Sequence, residues 1–249
     1  MTITIDNQVV FYEERGQGGA ILLLHGWGTD CTLFAPLTEL LARKYRVLAL
    51  DFPGFGRSPE PPAPWDVDGY ADLALGFLAA LGIEECALLG HSFGGRVILK
   101  LCARRLETPR FTKVILVGAA GIRHAPDPRA SARAKRYQLA KKLLRPFPKL
   151  LEAARKRYGS ADYRAATPMM RQVFVKVVNE DLAPLLPLIP QETLLIWGRG
   201  DTQTPLSDGQ QMAREMPDAG LVILENAGHY AFLERQDQFL RVMASFMKI

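Results

Sequence analysis

The sequence predicts an α/β domain: a mostly parallel sheet covered by helices on both faces, with one helical segment inserted into it. Three observations lead there. Short runs that are apolar throughout recur along the chain, and longer runs with helical spacing alternate with them. The alternation breaks once, for some 70 residues rich in Arg, Lys, Ala and Leu. Strands that are apolar on both faces suit a sheet buried on both sides, which is the parallel arrangement. Alternation with helices supplies the two covering layers.

The elements follow in order. Thr2–Ile5 and Val9–Glu14 are β-rich and pair as a hairpin across Asp6-Asn7-Gln8. Strands are expected at Ile21–Leu24, Val47–Leu50, Ala87–Leu89, Val114–Val117, Leu194–Trp197 and Leu221–Leu224. Helices are expected at Leu33–Arg43, Val67–Leu81, Gly95–Leu106, Ser207–Glu215 and Ala231–Met247. The long interval after Val117 carries proline at 126, 128, 146, 148, 168, 184, 187 and 190. Apolar residues still recur through Tyr137–Leu144 and Val173–Val178, so the interval is read as several short helices rather than a linker. The expected division is a core of residues 1–121 and 191–249 and a helical lid of residues 122–190.

The chain has 249 residues, 48% hydrophobic and 23% charged, ordinary for a single globular domain. The N-terminus lacks the basic start and apolar run of a secretory signal. No stretch approaches the roughly 18 apolar residues of a membrane span. Cys31, Cys86 and Cys102 have no metal-like spacing, and an odd number argues against a disulfide framework. A reduced, cytoplasmic protein is expected. The net charge of +5 is uneven: from Ile122 to Arg164 thirteen Lys or Arg stand against three acids, a local excess of +10. That basic stretch lacks the interleaved aromatics of single-strand nucleic-acid binders, so a solvated face is expected there, with neither nucleic acid nor membrane as partner.

The chemistry is concentrated in loops that follow strands. In Gly90-His91-Ser92-Phe93-Gly94-Gly95 a serine lies between an apolar strand and a helical pattern. Such a turn is sharp enough to hold the hydroxyl exposed, and glycines two residues either side avoid collisions with the neighbouring strand and helix. The bland alternative is a glycine-rich turn with an incidental serine; the strand before and helix after weigh against it. A nucleophilic serine needs a base, and the chain has four histidines. His25 and His91 sit in glycine-flanked turns and His124 in the basic stretch. His229, in Asn226-Ala227-Gly228-His229-Tyr230, follows the last strand, where a loop delivers a side chain to the carboxyl edge of the sheet. Asp201, after the preceding strand in Trp197-Gly198-Arg199-Gly200-Asp201, is the carboxylate expected to orient the imidazole. Asp208 is its nearest rival but falls inside the following helix. Oxyanion donors are expected from the backbone N–H of Phe93 and of Trp27, the latter in His25-Gly26-Trp27-Gly28.

These motifs, with Asp51-Phe52-Pro53-Gly54-Phe55-Gly56-Arg57-Ser58, resemble the α/β-hydrolase superfamily along essentially the whole chain. The resemblance implies an eight-stranded, mostly parallel sheet, a Ser-Asp-His triad in that chain order, a cap after the sixth strand, a structural role for Asp51–Ser58, and no cofactor or metal. Serine at 92 sets the chain apart from the haloalkane dehalogenase and epoxide hydrolase branches, which use aspartate there. Esterases, thioesterases, lactonases, peptidases, carbon–carbon bond hydrolases and menaquinone-pathway lyases remain, because fold does not settle substrate. Hydrolysis of a small-molecule carboxylic ester through an acyl-enzyme is the broadest expectation. A positive lid over the cleft would favour anionic acyl substrates. A non-catalytic ligand receptor is the reading from another class, and a complete triad argues against it.

Overall fold

A computed structural model describes residues 1–124 and 160–249, together with positions 136, 139, 146, 147 and 150. Its strands are β1 (Thr2–Ile5), β2 (Gln8–Arg15), β3 (Gly19–Leu24), β4 (Tyr45–Leu50), β5 (Glu85–His91), β6 (Arg110–Val117), β7 (Glu192–Gly198) and β8 (Ala219–Leu224). They form one sheet in the order β1-β2-β4-β3-β5-β6-β7-β8. From β4 to β8 every neighbouring pair is parallel; β1 and β2 pair antiparallel, and β2 joins β4 antiparallel. All eight strand positions were legible in the sequence; β1 has the expected bounds and the other seven run longer. The hairpin turns more tightly than expected: Ile5 pairs with Gln8, leaving Asp6 and Asn7 as the two turn residues, both at positive φ. That conformation matches the twist of the flanking strands, and Asp and Asn tolerate it.

The helices whose bounds lie among the described residues are α1 (Ala35–Leu41), α2 (Val67–Ala80), α3 (Phe93–Ala103), α4 (Ala161–Ala165), α5 (Pro168–Asn179), α6 (Leu206–Glu215), α7 (Ala231–Glu234) and α8 (Gln236–Met247). Two expectations need correction. The stretch beginning at Leu33 opens with a 3-10 turn, Cys31–Phe34, before α1. The single helix expected over Ala231–Met247 is two, broken at Arg235, whose φ of −128° leaves the helical region. Arg235 Nε donates to the Glu225 carbonyl at 2.9 Å, and Glu234 accepts from Gly228 N at 2.8 Å. The short α7 is thus tied to the loop between β8 and α7, which a continuous helix would not permit.

Alternation along the strands divides the core in two. Leu22 and Leu24 of β3, with Leu88, Leu116 and Trp197, pack on one face beneath α2 and α3. Ile21 and Leu23, with Leu89, Val117 and Ile196, pack on the other against α1 and α8. Each of these side chains is at most 1% exposed, and full burial of one such residue contributes roughly 1.5–3 kcal/mol. Both faces are therefore apolar, which is why the strands read as unbroken apolar runs.

Between β6 and β7 the described residues form α4, α5 and a 3-10 turn, Ala183–Leu188. The apolar recurrence at Val173–Val178 lies in α5, with Val173 and Val177 buried. The Tyr137–Leu144 recurrence falls outside the described residues apart from Leu139. The ends of the interval are fastened to each other and to the core. Leu182 N donates to Gly121 O at 2.8 Å, and Arg96 Nη1 donates to Glu180 O at 2.9 Å. Lys100 Nζ lies 2.5 Å from Glu180 and 2.7 Å from Asp68.

Candidate active site

Three loops at the carboxyl edge of the parallel strands bring the candidate residues to one end of the sheet. Ser92 connects β5 to α3 at φ 51° and ψ −109°, a left-handed backbone that a serine adopts only under constraint. The constraint is visible around it. Its N–H donates to Val117 O at 3.1 Å, and its carbonyl accepts from Gly95 N and Ala120 N, each at 3.0 Å. A Cβ on Gly90 would lie 2.6 Å from the Gly94 carbonyl carbon, and one on Gly94 would collide with the carbonyl of Leu24. The two glycines that flank the serine in sequence are therefore required by close backbone approach. Phe93 is the first residue of α3, so its N–H has no partner inside the helix.

His229 and Asp201 meet as the spacing implied. His229 Nδ1 lies 2.8 Å from Asp201 Oδ2, and the two side chains are 5% and 0% exposed. Asp201 Oδ1 accepts from the backbone of Gln203 at 2.8 Å and of Thr204 at 3.0 Å, and Oδ2 also accepts from the Thr204 hydroxyl at 2.8 Å. Burial opposes the charge, but the bonds from His229 and Thr204 outweigh it and hold the carboxyl below the usual carboxylate range. An ionised acceptor at Oδ2 places the imidazole proton on Nδ1 and leaves Nε2 as the free base. Gly118, at φ 49°, keeps the space clear: a Cβ there would come within 3.2 Å of Asp201 Oδ2 and 3.4 Å of His229 Nδ1.

The other histidines are engaged elsewhere. His25 accepts from Phe52 N at Nε2, 2.9 Å away, so Nδ1 carries the proton and donates to Gly26 O at 2.7 Å. Its burial lowers its basicity. His124 Nε2 lies 2.6 Å from Asp208 Oδ1. Asp208 thus sits in α6, as expected, and serves a different histidine. Burial raises its pKa, against the pull of His124.

Thr204, Trp197 and Tyr230, to which sequence reasoning gave no role, border the site together with Trp27. Thr204 joins the carboxylate to the end of β6, its hydroxyl lying 3.0 Å from Gly118 O and 3.2 Å from His229 Nδ1. The Asp201-x-x-Thr204 spacing, a common turn pattern, was the available signal. Trp197 Nε1 pins the same loop through Thr204 O at 2.8 Å. Tyr230 and Trp27 border a cavity of about 360 Å³ with Gly54, Phe55, Met170, Thr167 and Asp162. Trp27 stacks edge-on against Phe93 at 5.8 Å and Phe174 at 5.0 Å. The cavity adjoins the Trp27 and His229 loops on the side covered by α4 and α5. No group of three or more His, Cys, Asp or Glu that could hold a metal occurs among the described residues.

A parallel sheet wrapped by helices, with a strained serine turn and a buried histidine–carboxylate pair at its carboxyl edge, defines a hydrolase-type α/β protein. The alpha/beta hydrolase family profile matches residues 21–242, and the chain belongs to that family. It is 30% identical, over 96% of its length and 98% of the relative's, to a pimeloyl-[acyl-carrier protein] methyl ester esterase of Chromobacterium violaceum. It is also 30% identical to a 2-hydroxymuconate semialdehyde hydrolase of Pseudomonas sp. strain CF600, covering 94% of this chain and 88% of that one. Among solved structures, a bacterial membrane phospholipase A superposes with a TM-score of 0.80 at 28% identity, over all of this chain and 85% of that one. Among the described residues no helix is long and apolar enough to cross a membrane.

Proposed function

We propose that the chain is a serine hydrolase that cleaves a small-molecule carboxylic ester through an acyl-enzyme. The observation that carries the proposal is Ser92 held at positive φ between β5 and α3, in a fold whose buried His229–Asp201 pair lies at the same sheet edge. His229 Nε2 takes the Ser92 proton as the oxygen attacks the acyl carbonyl. The amides of Trp27 and Phe93 hold the oxyanion, and α3 adds the positive end of its dipole. The imidazolium then protonates the leaving alcohol, and the free base activates water to release the acid. Asp201 stays ionised and holds the imidazole in the productive tautomer. Residues 122–190 are proposed to act as a lid, with α4 and α5 forming one wall of the 360 Å³ cavity. The chemistry as written uses no cofactor.

A second reading, carbon–carbon bond cleavage, is favoured by the resemblance to the 2-hydroxymuconate semialdehyde hydrolase; thioester and lactone cleavage share the same acyl chemistry. The deciding experiment sets p-nitrophenyl esters of graded chain length beside thioesters, lactones and a meta-cleavage product, with fluorophosphonate labelling of wild type and Ser92→Ala. Ester turnover with labelling lost in the folded variant is the expected result. Full-rate labelling of Ser92→Ala would remove the nucleophile assignment.

A further inference from the structure

His91 ends β5 one position before Ser92, and the proposed chemistry makes no use of it. It is 1% exposed. Its Nε2 lies 3.1 Å from the carbonyl oxygen of His229. A carbonyl only accepts, so Nε2 carries the ring proton and Nδ1 is a bare lone pair. Nδ1 is buried without a hydrogen-bond partner. A Cβ on Gly26 would lie 2.7 Å from it, so a Cα hydrogen of Gly26 faces that atom. The ring packs 4.8 Å from the His229 ring, 5.1 Å from Tyr230 and 4.9 Å from Phe232, centroid to centroid. One side chain therefore touches the loop of Gly26 and the loop of His229 while its own backbone leads into the serine turn.

Histidine is a costly choice for a core position. A buried acceptor left without a partner is destabilising, and a phenyl ring would fill the space without that penalty. What histidine supplies is the Nε2–H to the His229 carbonyl. Burial first, and the neighbouring His229 second, push the His91 pKa down to about 3. The ring thus stays neutral at ordinary pH and does not repel the imidazolium that forms beside it.

We propose that His91 is a positioning residue for His229: its neutral Nε2–H fixes the His229 carbonyl, and with it the backbone from which the imidazole reaches Ser92. The inference rests on the hydrolase reading and adds to it a residue that touches no substrate. Glutamine can extend a donor to the Nε2 position, asparagine is too short to do so, and phenylalanine keeps the ring without the donor. Counted per active site by fluorophosphonate titration, kcat of His91→Phe should fall about 10²-fold with KM little changed, the scale expected of a slight misplacement. His91→Gln should recover most of that loss, and His91→Asn should not. A cooperatively melting His91→Phe with wild-type kcat overturns the proposal. If His91→Phe fails to fold, equal kcat values for the Gln and Asn variants overturn it instead.

A second readout needs no substrate. The downfield proton resonance of the His229–Asp201 hydrogen bond should match wild type in His91→Gln and shift in His91→Phe and His91→Asn. If these shifts occur in a protein that neither turns over esters nor labels, the hydrolase reading falls and the positioning stands. An unchanged resonance in all three variants removes the positioning.

Discussion

At the scale of single residues, the strongest contrast lies between two buried aspartates that each face a histidine. Asp201 meets His229 at 2.8 Å and accepts three further bonds; Asp208 meets His124 at 2.6 Å. If Asp201 orients the base, Asp201→Asn selects the wrong imidazole tautomer and should lower kcat on the order of 10⁴-fold, whereas Asp208→Asn should leave kcat nearly unchanged. Steady-state kinetics of the two folded variants checks this, and reversed effects would move the orienting role to Asp208. The serine and both members of the pair were legible because each stands alone in a strand-end loop with glycine beside it or two residues away. Thr204 and His91 were not, for a physical reason. Thr204 reaches Gly118, just past β6, and His91 reaches the carbonyl of His229, partners that lie far off in sequence and meet only in the folded protein.

Among elements, the loop after β4 shows what holds the site's scaffold in place. Asp51 is fully buried and accepts from Cys31 N and Arg57 N, each at 2.8 Å, with Arg57 Nε at 3.4 Å. Burial opposes its charge, but the bonds from Cys31 and Arg57 prevail and its pKa is lowered. A carboxyl whose folded pKa is depressed contributes stability in full above its unfolded value of about 3.9 and loses it as pH falls through the folded value. Asp51→Asn should therefore destabilise the protein by roughly 2 kcal/mol at neutral pH, the scale of bonds to a charged group. The gap to wild type should narrow once the pH drops below about 4. Urea unfolding of both proteins at pH 7 and pH 3 tests this, and a gap that does not change with pH would separate the effect from the charge. Periodicity alone found the centres of these elements. It missed the break at Arg235, because the residues bonded there, Glu225 and Gly228, belong to the loop after β8.

For the whole molecule, the class of fold was readable because the parallel strands β3 to β7 bury apolar residues on both faces, a property each of them shows by itself. The order of strands was not, since nothing in the sequence of β4 marks β2 and β3 as its neighbours. The charge of the interval between β6 and β7 was equally readable and its arrangement was not: most of the thirteen basic residues between Ile122 and Arg164 lie outside the described residues. Within the cavity lining described, the charged side chain is Asp162, of opposite sign. If the chain favours anionic substrates, the attraction must come from the segment's summed field, its excess of +10, rather than from a cation in that lining. A field of this kind raises capture of anions by about tenfold or more at low ionic strength. Near 1 M salt the screening length falls to about 3 Å and the gain should vanish. A contact with a single cation at the ester itself would survive that salt far better. The expected result is a higher kcat/KM for an anionic ester than for a neutral one of equal size in dilute buffer, converging as salt is added. Asp162→Asn should raise the anionic value further and leave the neutral one alone. Equal salt dependence for the two esters would strip the basic segment of any part in choosing substrate.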